Sequence, residues 1–201
     1  MQKFNILILS FLISVVSGSC KADVQKEMEK NSRLQEKADS AAVFCKAKGY
    51  NTNFCVLIDM SIPSGKNRLF IWDFQNDTIK HSGLCCHGAG GKSTALKPEF
   101  SNVPGSNCTS LGKYKIGIRS YSKWGINVHY KLHGLEKTND KAFERIVVLH
   151  SHTPVPEYEI YPNHLPLGWS QGCPVVNNDI MRKIDKMLKE SSKAILLWVY
   201  I

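Results

Sequence analysis

A mainly β domain is what this sequence predicts, and three observations predict it. From residue 54 onward, short apolar runs of seven to nine residues follow one another. Gly, Pro, Asn, Asp and Ser gather in the gaps between them, which is turn chemistry. Only two stretches have helical character, too few to supply the crossovers of a parallel sheet, so pairing is expected to be mainly antiparallel.

The elements read in order as follows. Residues 21–44, KADVQKEMEKNSRLQEKADSAAVF, are charged, free of Gly and Pro, and rich in helix formers. They predict a helix that begins as a stalk over 23–40 and docks through Ala41, Ala42 and Phe44 on a domain spanning 41–201. Strands are expected at 54–60, 68–74 and 78–86, parted by IPSG and QND, then at 113–119, 127–134 and 145–151. The second helix is expected over 177–192, where Ile180, Ile184, Met187 and Leu188 recur at helical spacing behind a capping Asn177 or Asn178. A last strand, AILLWVY, closes the domain at 194–200. The chain has no internal repeat and no low-complexity tract.

The first 22 residues have another purpose. One Lys, an apolar run from Phe4 to Val16 and then small residues make a secretory signal, because the run is shorter than the ~20 residues a bilayer requires. VSGSC resembles a bacterial lipoprotein signal, which would make Cys20 the lipidated first residue and a membrane anchor; cleavage after Ala22 is the competing form. Export to the periplasm or cell envelope is the expectation. Removal of residues 1–19 from the 201 leaves 182, suited to one globular domain, and a net charge of +8 in place of +9. A moderately basic exported protein suits an anionic wall polymer or membrane surface. No basic run or aromatic-interleaved stripe is present, so no nucleic-acid partner is expected. A monomer is expected. Cysteines 45, 55, 85, 86, 108 and 173 remain. Some should pair in an oxidising compartment, in a pattern that spacing does not reveal.

Two motifs carry chemistry. HGAGGKST, residues 87–94, ends like a phosphate-binding loop, but Cys86 stands where the first glycine belongs and Pro98 falls where a helix is required. It reads instead as a glycine-permitted loop carrying His87 toward or past the active centre. The second motif is a pair. IVVLH runs apolar residues into His150, which reads as a buried strand delivering an imidazole at its end. SQGCP, residues 170–174, then sets Cys173 in a sharp turn. That turn exposes the sulfur and points the N–H groups of Gly172 and Cys173 outward, where they could hold an oxyanion. A neutral thiol is a weak nucleophile, and an imidazole within reach activates it and later protonates the leaving amine. From the residues alone three readings stand open: a Cys–His nucleophile, a structural cysteine, or a metal site using His150, His152 and Cys173 with His87.

His150-Ser151 followed by Ser170-Gln171-Gly172-Cys173 resembles the signature of L,D-transpeptidases of the YkuD-like type. CHGAGGKST, FSNVPGSNCTSLGKYKIG, HYKLHGLEKTNDKAFERIVVLHS and SQGCPVV resemble the murein L,D-transpeptidase catalytic domain family, over about residues 40–200. The resemblance implies a β-sandwich with a few peripheral helices, a cysteine nucleophile, no metal or organic cofactor, and peptidoglycan stem peptides as substrate. The thiolate would attack the carbonyl that joins an L-centre to a D-residue, release the D-residue, and pass the acyl group to an amine of a neighbouring stem. It implies Cys173 as nucleophile, His150 as base and acid, Ser151 as orienter of the imidazole through its carbonyl, and Gly172 with Cys173 as oxyanion hole. Ser170, His152, His87, His133 and Tyr130 are candidates to line the substrate cleft. One departure stands out: many relatives have Arg or Asn two places after the cysteine, where this chain has Val175. The alternatives are an L,D-carboxypeptidase or endopeptidase on the same peptides, and an inactive wall-binding module.

Overall fold

The computed structural model describes residues 32–201, so the leader, Cys20 and the first part of the expected stalk lie outside the described residues. Residues 32–48 are helical (α1). The chain divides into two compact units after Asp39. In the first, the described residues 32–39 form helix, with Gln35 Nε2 donating to Asp39 Oδ1 at 3.1 Å. In the second, the helical residues 40–48 bury Ala41 and Cys45, while Phe44 meets Tyr50 edge-on.

Nine strands follow: β1 (Phe54–Asp59), β2 (Leu69–Asp73), β3 (Thr78–Gly83), β4 (Cys85–Cys86), β5 (Gly112–Tyr121), β6 (Val128–Gly134), β7 (Val148–Ser151), β8 (Val175–Val176) and β9 (Ile195–Tyr200). All belong to one hydrogen-bonded sheet in the order β3-β2-β1-β9-β5-β6-β7-β8-β4. Only β1 with β9 and β7 with β8 run parallel. The mainly β fold expected from the sequence is therefore present. β8 is the strand that sequence patterning missed, since two residues show no period.

β3 and β4 lie at opposite edges of this sheet, yet only Leu84 separates them in the chain. Strands joined by one residue are within about 7 Å at the join, so the sheet must curl until its edges approach. Residues 78–86 are then a corner passing from one layer to the other, which makes a two-layered body out of a single sheet. Helix α2 (Asn178–Lys189) touches both β3 and β7, as such curling requires. Its N-cap is Asn177, whose side chain accepts from Ile180 N–H at 2.8 Å. Ile180, Met181 and Ile184 bury into the core formed by β1, β2, β5, β6, β7 and β9.

Strand alternation sets up the site. On β6, Val128, Tyr130 and Leu132 are buried while His129, Lys131 and His133 are half-buried. On β7, Leu149 and Ser151 are buried, and Val148 and His150 half-buried. The antiparallel register pairs His129 with His150 and Lys131 with Val148. Directly paired residues point to the same face. These four side chains therefore form a patch on the open face, with the core behind it.

Candidate active site

Cys173 ends a turn that is built by one hydroxyl. Ser170 Oγ accepts from Gly172 N–H at 3.0 Å and donates to the Cys173 carbonyl at 2.6 Å. Gly172 sits at φ +109, and a Cβ on it would stand 2.7 Å from the Cys108 carbonyl and 3.2 Å from the Arg145 guanidinium, so only glycine fits. Two neighbours buttress the turn. Ala89 N–H donates to the Ser170 carbonyl at 2.9 Å, and Arg145 spans Ser101, Ser106, Cys108 and Ser110. The six described cysteines are all free thiols, a correction to the expectation that some pair; five are buried and Cys173 is half-buried.

The sulfur rests against the edge of β7, where Val148 N–H approaches Sγ at 3.4 Å and the Ile146 carbonyl lies 3.9 Å away. Burial pushes the thiol up, opposed by the Val148 N–H and the charges of Arg145 and Lys131. His150 is held nearby by register, since β7 and β8 run parallel with His150 opposite Val175 and His150 N–H reaches the Pro174 carbonyl at 3.4 Å, but its ring makes no hydrogen bond to the sulfur among the described residues. His150 Nδ1 lies 3.1 Å from the Ser151 carbonyl. A carbonyl only accepts, so Nδ1 carries the proton and Nε2 is left basic. Nε2 has no hydrogen-bond partner among the described residues. Burial holds the imidazole below the usual histidine range, with His129 and His152 adding to the effect and the Ser151 carbonyl opposing it. Both shifts favour the uncharged forms, a thiol at Cys173 and a neutral imidazole at His150.

Both groups line one cleft of about 570 Å³, together with His129, His152, Trp124, Trp169 and Lys123; no Asp or Glu is among the lining residues. His152 stands edge-on between Trp124, at 5.3 Å, and Trp169, at 5.4 Å. Trp124 belongs to a turn pinned to the strand of His150. Ile126 N–H donates to Ser151 Oγ at 3.1 Å, and Gly125, at φ +58, lies where a Cβ would overlap that hydroxyl. Ser151 thus fixes the ring of its neighbour with its carbonyl and one wall of the cleft with its side chain.

A profile described as the L,D-transpeptidase catalytic domain matches residues 26–200, most of the chain and all of this site. The chain belongs to that family. No curated protein matches it. Solved structures similar to this L,D-transpeptidase-family domain include the helical cell shape determining protein Pgp2 of Campylobacter jejuni, at 13% identity and TM-score 0.47, covering 73% of this chain and 46% of that one. An L,D-transpeptidase from Xylanimonas cellulosilytica gives 13% and 0.40, over 78% and 67%. Bd1075 of Bdellovibrio bacteriovorus gives 16% and 0.43, over 75% and 49%. The chain thus spans about half the length of Pgp2 and Bd1075.

Within this L,D-transpeptidase-family domain, Cys173, His150, His152 and Ser170 line the cleft, while Ser151 lies buried behind His150. Three expected lining residues lie elsewhere. Tyr130 is on the core face of β6 and donates to Asp185 Oδ1 at 2.7 Å. His133 is four residues beyond His129, roughly 13 Å along the strand, and stacks on Phe143 at 5.0 Å. His87 is buried, with Nε2 on the Thr94 carbonyl at 2.8 Å and Nδ1 facing Arg68 Nη2 at 3.0 Å. The metal reading that joined His87 to His150, His152 and Cys173 therefore loses a member, and no group of three or more metal-ligating side chains occurs among the described residues. Two further corrections concern the turn. The Gly172 N–H is committed to Ser170 Oγ, so of the two expected oxyanion donors only Cys173 N–H lacks a partner among the described residues. The Ser170 hydroxyl is consumed by the same turn. The 87–94 loop already holds an anion of its own, since Lys92 N–H donates to Glu99 Oε2 at 2.6 Å.

Sequence reasoning missed Trp124, Trp169, His129, Lys131 and Arg145. Strand alternation within VHYKLHG would have found His129 and Lys131, because the apolar Val128, Tyr130 and Leu132 claim the other face.

Proposed function

We propose that this chain is a cysteine acyltransferase working on peptidoglycan stem peptides, the substrate class of its family. The observation that carries the reading is a half-buried thiol and an imidazole with one unpartnered nitrogen lining one acid-free cleft. In this reading the thiol turns from its rest on β7 and gives its proton to His150 Nε2, and the sulfur forms a bond to the peptide carbonyl carbon. Negative charge on the carbonyl oxygen is met by the Cys173 N–H. Collapse breaks the C–N bond as His150 returns the proton to the departing amine, leaving a thioester. An acceptor amine then attacks, giving its proton to His150, and Cys173 leaves to regain it. Neutral partners at rest suit this path, because the proton moves within the pair as the bond forms.

Hydrolysis differs only in having water resolve the thioester. Incubation with purified muropeptides and mass analysis of products tests the proposal: cross-linked dimers support transfer, and dimer formation that persists in Cys173→Ala refutes it. The reading also carries export through residues 1–22 with Cys20 as lipid anchor, which the mass of the mature N-terminus checks.

A further inference from the structure

Lys131 is a half-buried lysine that pairs with no carboxylate among the described residues. It projects from the open face of β6 opposite Val148, the residue whose N–H reaches the Cys173 sulfur. Its ammonium lies 5.0 Å from the centroid of Phe143, and that ring stacks in turn on His133 at 5.0 Å with planes 22° apart. Phe143 is 54% exposed, and Ile146, whose carbonyl faces the sulfur, is 65% exposed at φ +57, a conformation a β-branched residue rarely takes. A ledge with one cation and two bare apolar side chains thus lies beside the nucleophile, formed by residues other than the Trp124–His152–Trp169 wall. The other nearby cation, Arg145, keeps its charge but has its guanidinium donors taken up by four neutral oxygens under the turn, which leaves Lys131 the freer one to meet a ligand. Position 175 offers no charge, since Val175 is fully buried. His129 and His133 are both pushed below the usual histidine range, by burial and then by lysines that include Lys131, so they add no positive charge at neutral pH.

We infer that Lys131 with Phe143 and Ile146 forms an anion subsite, which takes a carboxylate carried close to the scissile carbonyl of the acyl donor. The inference rests on the acyl-transfer reading for its substrate, but its test does not. Iodoacetate and iodoacetamide alkylate the same sulfur and differ by one negative charge, so the ratio of their rates cancels thiolate reactivity and reads anion recognition alone. The ratio is measured on the Cys173 peptide by mass spectrometry and normalised to free cysteine.

The expected result is an excess for iodoacetate that falls about five- to tenfold in Lys131→Gln, the loss of one nearby unit charge in a partly screened site. Lys131→Arg should keep it. Lys123→Gln, the same charge change at an exposed lysine of the cleft, should move it less than about twofold. An unchanged ratio in Lys131→Gln overturns the inference, as does an equal fall in Lys123→Gln, which would mean a diffuse field. If Lys131 served only to acidify the thiol, both reagents would slow together and the ratio would stay, which also overturns it. A shifted ratio in a chain that transfers no acyl group sinks the proposed activity and leaves the subsite standing; transfer with an unmoved ratio does the reverse.

Discussion

His87 and His150 are two imidazoles in the same domain, and a backbone carbonyl fixes the tautomer of each. At His87 the second nitrogen is also engaged, facing a guanidinium that itself reaches the Cys85 and Ile62 carbonyls. At His150 the second nitrogen has no hydrogen-bond partner among the described residues, and the residue lines the cleft. The first network is saturated and ties the start of β2 to the end of β4; the second leaves one nitrogen open, the one to which the proposed mechanism gives the substrate proton. What separates a structural histidine from a chemical one is therefore the completeness of its partners more than its burial. Glycine-rich surroundings do not separate them, since His87 precedes Gly88, Gly90 and Gly91 while His150 has no glycine beside it.

Substitutions should break this contrast most sharply at the cleft. Cys173→Ala should lower acyl transfer at least about 10³-fold, and His150→Ala by a similar factor, with the double variant little worse because the two act as a unit; steady-state kinetics on stem peptides checks both. His87→Asn should do the opposite, lowering stability by about 2 kcal/mol, as expected for unpairing a buried hydrogen-bonded group. Turnover per folded molecule should stay within about threefold, as denaturant titration and active-thiol counting would show.

Acid should sharpen the contrast further. His87 is held at about 4 by burial and by Arg68, against 6.5 when unfolded. The folded state binds fewer protons, so its contribution to stability is complete above pH 6.5 and is lost as pH falls toward 4. The midpoint of urea unfolding should drop across that window, less so in His87→Asn. His150 is lowered too, so the acid limb of kcat/KM should fall below the ordinary histidine value of 6.5, since protonation removes the proposed base. The smallest effect is expected at Ser151→Ala. Loss of the hydroxyl that holds Ile126 N–H should cost about 1 kcal/mol and raise KM more than it lowers kcat, because the imidazole keeps its carbonyl partner.

Most strands were legible because apolar runs and turn residues agree: the expected 54–60, 68–74 and 194–200 correspond to β1, β2 and β9 within a residue or two. The pair of His150 and Cys173 was legible for a different reason, as a resemblance in a short turn whose glycine the backbone requires. What stayed hidden depends on distant closure. Nothing local says that Leu84 joins two sheet edges, or that Arg68 will claim His87. Tyr130 was misassigned by residue type, where alternation alone would have sent it to the core and its hydroxyl to Asp185. That carboxylate is held at about 2, where hydrogen bonds from Arg119, Tyr130 and Lys189 outweigh the opposing effect of burial.

The corner at Leu84 sets where this molecule should give way first. Closure at that edge rests on β4 and β8, each two residues long, and Cys173 stands two residues before β8. Amide exchange should therefore be fastest at that seam, and gentle heating should silence the thiol several degrees before the rest of the body melts. Heating would then abolish the proposed chemistry while the body is still folded.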